Sequence, residues 1–508
     1  MPIIASIPIL VILVLMIGFR WGAARAGAAG YLSAFFVAVV FFGAGVDVLA
    51  YAHTKAIILT FDVLFIIWAA YLLYRVAEDA GAIKTIGRLL PSLTRDRGMQ
   101  ALLIGWVFAS FLQGAGGFGV PVAVTAPLMI GLGFSPLSAV IIPSIGHGWA
   151  VTFGSLGSSF NALLSATGLD APSLAPETAL YLGLACVLTG PMIAHAVDGW
   201  AGVKRLLVPA LVIGTVMGAV QFAVAAGAGL WNLGAFTGGL AGLAISMWVV
   251  RWGQAGKGIE RSERKPLWLA LSAYLVLILF TVVILLIPAI NNWLGQISIQ
   301  IQFPETVTAL GYISPAGTNR PVRIFTHAGA ILVYTSLVSY FIYRRAGLYE
   351  TDAGKNILRA TVRGMMSSSL SIALMVAMAT MMQQSGMTEA IAQGLADAVG
   401  KAFPLIAPWI GGIGAFMTGS NTNSNVVFAG LQMRTAELLK YSIPAILAGQ
   451  TAGAAVASVA APTKLVVGAS TAGMAGKEGD VLRALVGYTA LLVLFISLLT
   501  GLASLLGY

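Results

Sequence analysis

The chain has 508 residues, 58% of them hydrophobic and only 9% charged, whereas a soluble domain carries about 25% charged residues; a water-exposed surface cannot be built from that, and no soluble domain is expected despite the length. The net charge of +10, from 28 Lys and Arg against 18 Asp and Glu, sits mainly between apolar runs, which marks membrane topology and argues against a nucleic-acid partner. The single cysteine, Cys186, has no intrachain partner, which excludes an intrachain disulfide and a cysteine-based metal cluster.

In chain order, the run 2–19 lacks the basic start of a secretory signal and is expected to be a retained span. Runs 27–50 and 56–74 follow, then a basic loop at 75–98. The stretch 99–132 is apolar but interrupted by Gln113-Gly114-Ala115-Gly116-Gly117-Phe118-Gly119-Val120-Pro121, and reads as helix, break, helix. Spans are expected at 135–160, 177–196, 205–227 and 229–250, before a second basic loop at 251–266. Runs 267–289 and 326–343 lead to a third basic loop at 344–363. Run 364–383 precedes a second interrupted stretch, 402–433, broken by Thr418-Gly419-Ser420-Asn421-Thr422-Asn423-Ser424-Asn425; runs 438–462 and 482–506 complete twelve expected spans.

The positive-inside rule places the three basic loops in the cytoplasm. Four intact spans separate the first from the second, so 99–132 must return to the side it entered from, as a re-entrant hairpin or two short spans. The same parity puts 402–433 on the outer side, 464–480 in the cytoplasm, and Met1 and Tyr508 outside. Of the 28 Lys and Arg, only Lys55, Arg320, Arg323, Lys401, Arg434 and Lys440 then lie outside. Trp21, Trp200, Trp252, Trp268 and Trp293, at run ends, fit interfacial anchoring. The expected architecture is an all-α integral membrane protein, one unit over 1–508, with about twelve transmembrane helices plus two oppositely oriented broken or re-entrant elements. That is the layout of an inverted-repeat secondary transporter, with repeat cores at 99–250 and 364–508 and the substrate held where the breaks meet.

Gly114, Gly116 and Gly119 match G-x-G-x-x-G, but no soluble strand–turn–helix unit surrounds them, and nucleotide binding is discounted. Gly117 extends the same bare backbone, and Pro121 suits the first turn of a helix whose positive end can face an anion. In the second break six consecutive polar side chains, Ser420 to Asn425, stand in an apolar run and must face protein, water or ligand. Interhelical hydrogen bonding is their plainer use. The candidate substrate-binding residues are therefore Gln113, Gly114, Gly116, Gly117, Gly119, Ser420, Asn421, Thr422, Asn423 and Asn425, with Lys464 as a point charge for a carboxylate. Ionisable groups inside a membrane are functional candidates by default. His147, between glycines and with an ordinary pKa of ~6.5, and Asp62 are the proton-coupling candidates; Asp47 and His195, near run ends, read as interfacial or structural.

The sequence Phe111-Leu-Gln-Gly-Ala-Gly-Gly-Phe-Gly-Val-Pro-Val-Ala-Val-Thr-Ala, with Ile130-Gly-Leu-Gly-Phe-Ser-Pro-Leu, resembles a signature of the lactate permease family. So do Met417-Thr-Gly-Ser-Asn-Thr-Asn-Ser-Asn-Val-Val-Phe-Ala-Gly-Leu-Gln432 and Gly473-Met-Ala-Gly-Lys-Glu-Gly-Asp480. The resemblance implies proton-coupled uptake of lactate and glycolate, a plasma-membrane location and a fold of twelve or more helices. Three positions depart from it: Gln113 and Asn421 stand where the family typically has Glu and Asp, and Ser144–Gly154 replaces an Asn-Thr-Ala-Pro-type sequence. Amides cannot titrate, so substrate choice and coupling ion are both opened.

The expected function is secondary transport of a small organic anion, lactate, glycolate or a related 2-hydroxy monocarboxylate, by proton symport. Sodium coupling is the alternative, because the hydroxyls of Ser420, Thr422 and Ser424 suit a hard cation; sulfonate specificity and an anion channel are others. A membrane-embedded enzyme is disfavoured by the lack of H-E-x-x-H, G-x-S-x-G or clustered His. No cofactor or metal is expected.

Overall fold

A segment crossing a bilayer must pair its own backbone polar groups, and the computed structural model does so with helix along most of its length; it describes residues 1–19, 21–117, 119–253, 267–319 and 321–507. Outside the described residues lie Phe118 of the first break, Arg320, Tyr508 and the basic Lys257, Arg261, Arg264 and Lys265.

Helix α1 (Pro2–Leu13) ends in a π-helical turn, α2 (Ala23–Phe42) stops at Gly43, and α3 (Val46–Asp79) begins at once. The run 27–50 thus overlaps two helices, and Asp47 stands exposed in the first turn of α3, where a carboxylate suits the helix dipole. After α4 (Ala82–Leu89), α5 (Arg97–Gln100) continues through π-helical turns at 101–108 into α6 (Ala109–Ala115), and α7 (Val120–Gly131) returns alongside, with Gly105 opposite Met129. The 12 residues of α7 reach about 18 Å at ~1.5 Å each, short of a hydrocarbon core of ~30 Å, so α7 does not cross by itself and the element folds back as a hairpin.

The run 135–160 is not one intact helix. Helices α8 (Pro136–His147) and α9 (Gly154–Thr167) are bent by 50° across an unwound stretch in which Ser155 and Leu156 take left-handed φ values of 47° and 54°. Helix α10 (Ala171–Phe222) holds two expected spans, reversed at Asp198–Gly199 so that Gly183 packs against Gly218. Arg205 ties that turn to Asp198 (2.7 Å) and Asp96 (3.7 Å), placing it beside the first basic loop. Helices α11 (Gly234–Gly253), α12 (Leu267–Leu286) and the short α13 (Pro288–Leu294) follow.

The helical expectation omitted one feature. Six two-residue strands, β1 (Ser298–Ile299), β2 (Gln302–Phe303), β3 (Thr306–Val307), β4 (Ile313–Ser314), β5 (Gly317–Thr318) and β6 (Val322–Arg323), pair as nested rungs of one antiparallel hairpin, β1 with β6, β2 with β5 and β3 with β4. It packs over the α2–α3 turn and is held near Gln384: Ala309 N–H donates to Gly43 O at 2.8 Å and Ser314 Oγ to Gln384 Oε1 at 2.9 Å.

Helices α14 (Ala328–Arg345), α15 (Ala353–Gln384) and α16 (Met387–Val399) lead to the second hairpin, α17 (Phe403–Thr418) and α18 (Asn421–Leu439). Its break is confined to Gly419–Ser420, and Asn421 to Asn425 are helical. The arms are joined by Ser424 Oγ to Gly411 O (2.7 Å) and Gln432 Nε2 to Ala407 O (2.9 Å). A second broken span follows, α19 (Ile443–Ala457) and α20 (Pro462–Thr471), parted at Ala461, before α21 (Glu478–Leu505). Among the described residues ten helices are long and apolar enough to cross a membrane, eleven if the bent α8–α9 pair counts as one. Trp200 is 74% exposed, and Trp21, Trp268 and Trp293 are also exposed, as interfacial anchors are.

A unit of hairpin plus broken span therefore occurs twice. Helix α18 packs along α9, and α20 along α7, so each hairpin leans on the far half of the other unit's broken span. That reciprocal contact is what a pseudo-two-fold between two repeated units produces, as in transporters built from internal repeats.

Candidate functional site

Each hairpin tip sits on the unwound segment of its own unit. Gly117 has φ +63°, and a Cβ there would stand 1.8 Å from Ser155 Oγ; Gly419 has φ +73°, and its Cβ would stand 2.1 Å from Thr463 Oγ1. Glycine is what permits both the left-handed turn and the close approach. The two tips and the two breaks then enclose one cavity of ≈ 580 Å³.

Five helices show this cavity their first residues: Gly22 to Arg25 at the start of α2; Gly119 ahead of α7; Ser155, Ser158 and Ser159 of α9; Ser420 to Asn423 of α18; and Thr463 and Lys464 of α20. Ser420 caps α18, its Oγ accepting from Asn423 N–H at 3.2 Å. Helix N-termini carry partial positive charge and unpaired N–H groups, a natural seat for an anion. The charged residues of the lining are Arg25 and Lys464; among the described residues no Asp or Glu reaches it. Lys464 Nζ donates to Ser458 Oγ at 2.9 Å and has no carboxylate partner among them. Gln113 lines the cavity with its amide unbonded to any described residue, and Asn423 Oδ1 is buried without a partner while its Nδ2 donates to Ser371 Oγ at 3.1 Å. The mouth is rimmed by exposed Gly22, Arg25, Gly364 and Ser367. These follow the loop 344–363 and the end of α1, on the face that charge assigns to the cytoplasm.

Beneath the lining, hydrogen bonds lock the units together. Asn421 Nδ2 donates to Thr152 Oγ1 (2.9 Å), which donates to Thr451 O (3.2 Å). Asn425 Nδ2 donates to Ser159 O and Thr451 Oγ1, both at 2.9 Å, and Ser159 and Thr422 hydroxyls meet at 3.0 Å.

Of the residues singled out by sequence, Gln113, Gly119, Ser420, Asn421, Thr422, Asn423 and Lys464 line the cavity. Gly114 packs against the Phe236 backbone, Gly116 against the Tyr74 ring, Gly117 against Ser155, and Asn425 belongs to the buried web. His147, 1% exposed, lies off the lining; its Nδ1–H donates to Pro143 O at 2.6 Å and its Nε2 has no partner among the described residues. Asp62 also lies off the lining, accepting from Asn161, Ser165 and His327. His195 Nδ1 bonds the Tyr488 hydroxyl at 2.8 Å, a structural role. Sequence reasoning missed Arg25, Thr463, the α9 serines and Ser367, Ser368 and Ser371 of α15. Polar clusters at 154–159 and 367–371 inside expected spans were the signal, the same one that marked the second break.

The family model described as L-lactate permease matches residues 2–507. The L-lactate permease of Halalkalibacterium halodurans is 27% identical over 524 residues, covering 99% of this chain and 97% of its own. The glycolate permease GlcA of Escherichia coli is 27% identical over 534 residues, covering 98% and 94%. Among solved structures, the YdaH transporter of Alcanivorax borkumensis superposes with a TM-score of 0.52 over 91% of this chain and 90% of its own at 15% identity, a likeness of fold. With its full length matched and its helices built for a bilayer, the chain belongs to the L-lactate permease family, multi-pass cell-membrane transporters of organic anions and not enzymes.

Proposed function

We propose that the protein is a secondary active symporter that takes up lactate, glycolate or a related 2-hydroxy monocarboxylate together with protons. The carrying observation is the sign of the cavity: five helix N-termini, Arg25 and Lys464 face it, and no described Asp or Glu does. In this reading the substrate carboxylate lies at the start of α18 with Lys464 as counter-charge, and the Gln113 amide takes the 2-hydroxyl. The units 99–250 and 364–508 act as the two repeats, each giving one tip to the site. Proton coupling has a physical rationale, since an anion and a proton together cross the bilayer without net charge. The buried titratable groups flanking the cavity, His147 and Asp62, are the candidates for carrying it.

Proteoliposomes loaded with labelled L-lactate or glycolate, with pH and sodium gradients imposed separately, test this. Counter-flow exchange of both acids and accumulation driven by the pH gradient alone are expected. Exchange confined to sulfonates, or accumulation driven only by sodium, overturns the reading.

A further inference from the structure

We propose that the coupled proton binds at an Asp62–His327 pair on the outer side of the molecule, and that α9 transmits its occupancy to the substrate cavity. This rests on the proton-coupled reading above and names the residues that perform it; His327 has no part in the substrate cavity.

Asp62 lies midway along α3, 6% exposed. Its Oδ1 accepts from His327 Nε2 at 2.8 Å; its Oδ2 accepts from Asn161 Nδ2 at 3.0 Å and from Ser165 Oγ. His327 precedes α14, its ring stacked parallel on Phe65 with centroids 5.0 Å apart. Its Nδ1 accepts from Gly329 N–H at 3.2 Å, which leaves Nε2 as the donor to Asp62. Two titratable side chains thus share one buried hydrogen bond, with Asp62 as the carboxylate that a proton can neutralise.

A second cavity, ≈ 210 Å³, reaches Asp62 and Ser165 beneath the β-hairpin. Polar Thr167, Thr318 and Asn319 line it, which makes it a route for water from the outer face. Among the described residues lining it, Lys55 and Asp62 are the titratable ones; α15 contributes the neutral Thr380 and Gln383. Lys55 is held by Gln384 Oε1 at 3.0 Å and lies 4.9 Å over the Phe303 ring. His147 lines neither cavity.

Helix α9 touches both places. Its Ser155, Ser158 and Ser159 line the substrate cavity, and its Asn161 and Ser165 grip Asp62. Hydrogen bonds to a carboxylate are roughly twice as strong as neutral ones, so a proton that neutralises Asp62 loosens the hold of α3 on α9. Its cavity end then moves more freely, and by linkage a substrate that shifts α9 changes proton affinity by the same factor.

The test uses the full-length protein in proteoliposomes with D62N and H327Q. Accumulation driven by an inward pH gradient should fall at least about tenfold in each while counter-flow at equal pH persists. Proton uptake on adding L-lactate to the detergent-solubilised protein, followed with a pH dye, should vanish in both. H327Q keeps a donor for Asp62 and decides the matter if D62N does not fold. Wild-type driven accumulation in both variants, with unchanged pH dependence, overturns this proposal alone. A wild-type protein that does not respond to the pH gradient overturns the coupling reading, and this one with it.

Discussion

Replacing Gly117 by alanine asks whether the first hairpin tip must dock on the unwound start of α9. At φ +63° an L-residue costs about 1–2 kcal/mol. The new Cβ would stand 1.8 Å from Ser155 Oγ and 3.2 Å from Gln113 Nε2, so Ser155 has to turn away and give up its bond to Gly116 O at 3.2 Å, worth about 1 kcal/mol. Together these put about 2–3 kcal/mol on the docked state alone, a 30- to 150-fold shift at ~1.4 kcal/mol per decade. Ser155 itself holds φ 47°, so Ser155→Gly relieves strain at its own position while removing the obstructing hydroxyl. A double-mutant cycle read as apparent lactate affinity in counter-flow should show G117A strongly impaired and G117A/S155G substantially recovered. The coupling between the two positions should be ~1 kcal/mol or more. Strict additivity, or a G117A protein with wild-type affinity, refutes the docking.

Lys464→Gln removes one of the two cavity cations; at a separation of ~5 Å its Coulomb energy with an anion is about 0.8 kcal/mol in water and about 3 kcal/mol at an effective dielectric of 20, so KM should rise roughly 4- to 150-fold. The rise should shrink as salt is added, and an unchanged KM would remove Lys464 from the substrate's reach. Asn425→Ala, in the buried web, should destabilise the purified protein by about 1–3 kcal/mol in thermal unfolding, with KM little altered; a KM effect without a stability effect would move Asn425 into the lining. His147→Gln should retain pH-gradient-driven accumulation if the proton resides on the Asp62–His327 pair, and its loss would return the coupling role to His147.

The membrane class, the re-entrant character of 99–132 and the second hairpin were legible because they rest on sums: runs of apolar residues, basic loops and the parity between them. The two broken spans were not. Apolar averaging carries a window across Ser155 as though helix continued, and only backbone geometry reveals the turn at Ser155–Gly157; at the other break the expected span ended at 462 and left Pro462–Thr471, a helix that lines the cavity, in an expected cytoplasmic loop. The β-hairpin was hidden for another reason: its rungs are two residues long and its partners lie up to 25 residues apart, as Ser298 and Arg323 do, so no local period announces it. At the site, residue type identified polar groups but not their direction. Asn423 and Asn425 are two positions apart on one helix, roughly 200° around its axis, so one faces the cavity and the other the α9–α19 packing.

The two amides that break the family resemblance fit their surroundings for a reason of hydrogen-bond polarity. Thr152 Oγ1 donates to Thr451 O and accepts from the Asn421 amide at 2.9 Å, an arrangement that uses a donor at 421, whereas an ionised carboxylate there could only accept and would require the Thr152 hydroxyl to turn. Gln113 lines the cavity, and its Nε2 stands 2.6 Å from where a Cβ on Gly154 would lie, against the unwound backbone. Carboxylates at these two positions would offset the charges of Arg25 and Lys464 and would need protonation before an anion could enter. With amides there, no described Asp or Glu in the lining offsets those two charges. On the proposed reading the proton then has to be bound elsewhere, by a carboxylate that reaches outer water and shares a helix with the substrate, and Asp62 meets both conditions through the second cavity and its bonds to Asn161 and Ser165.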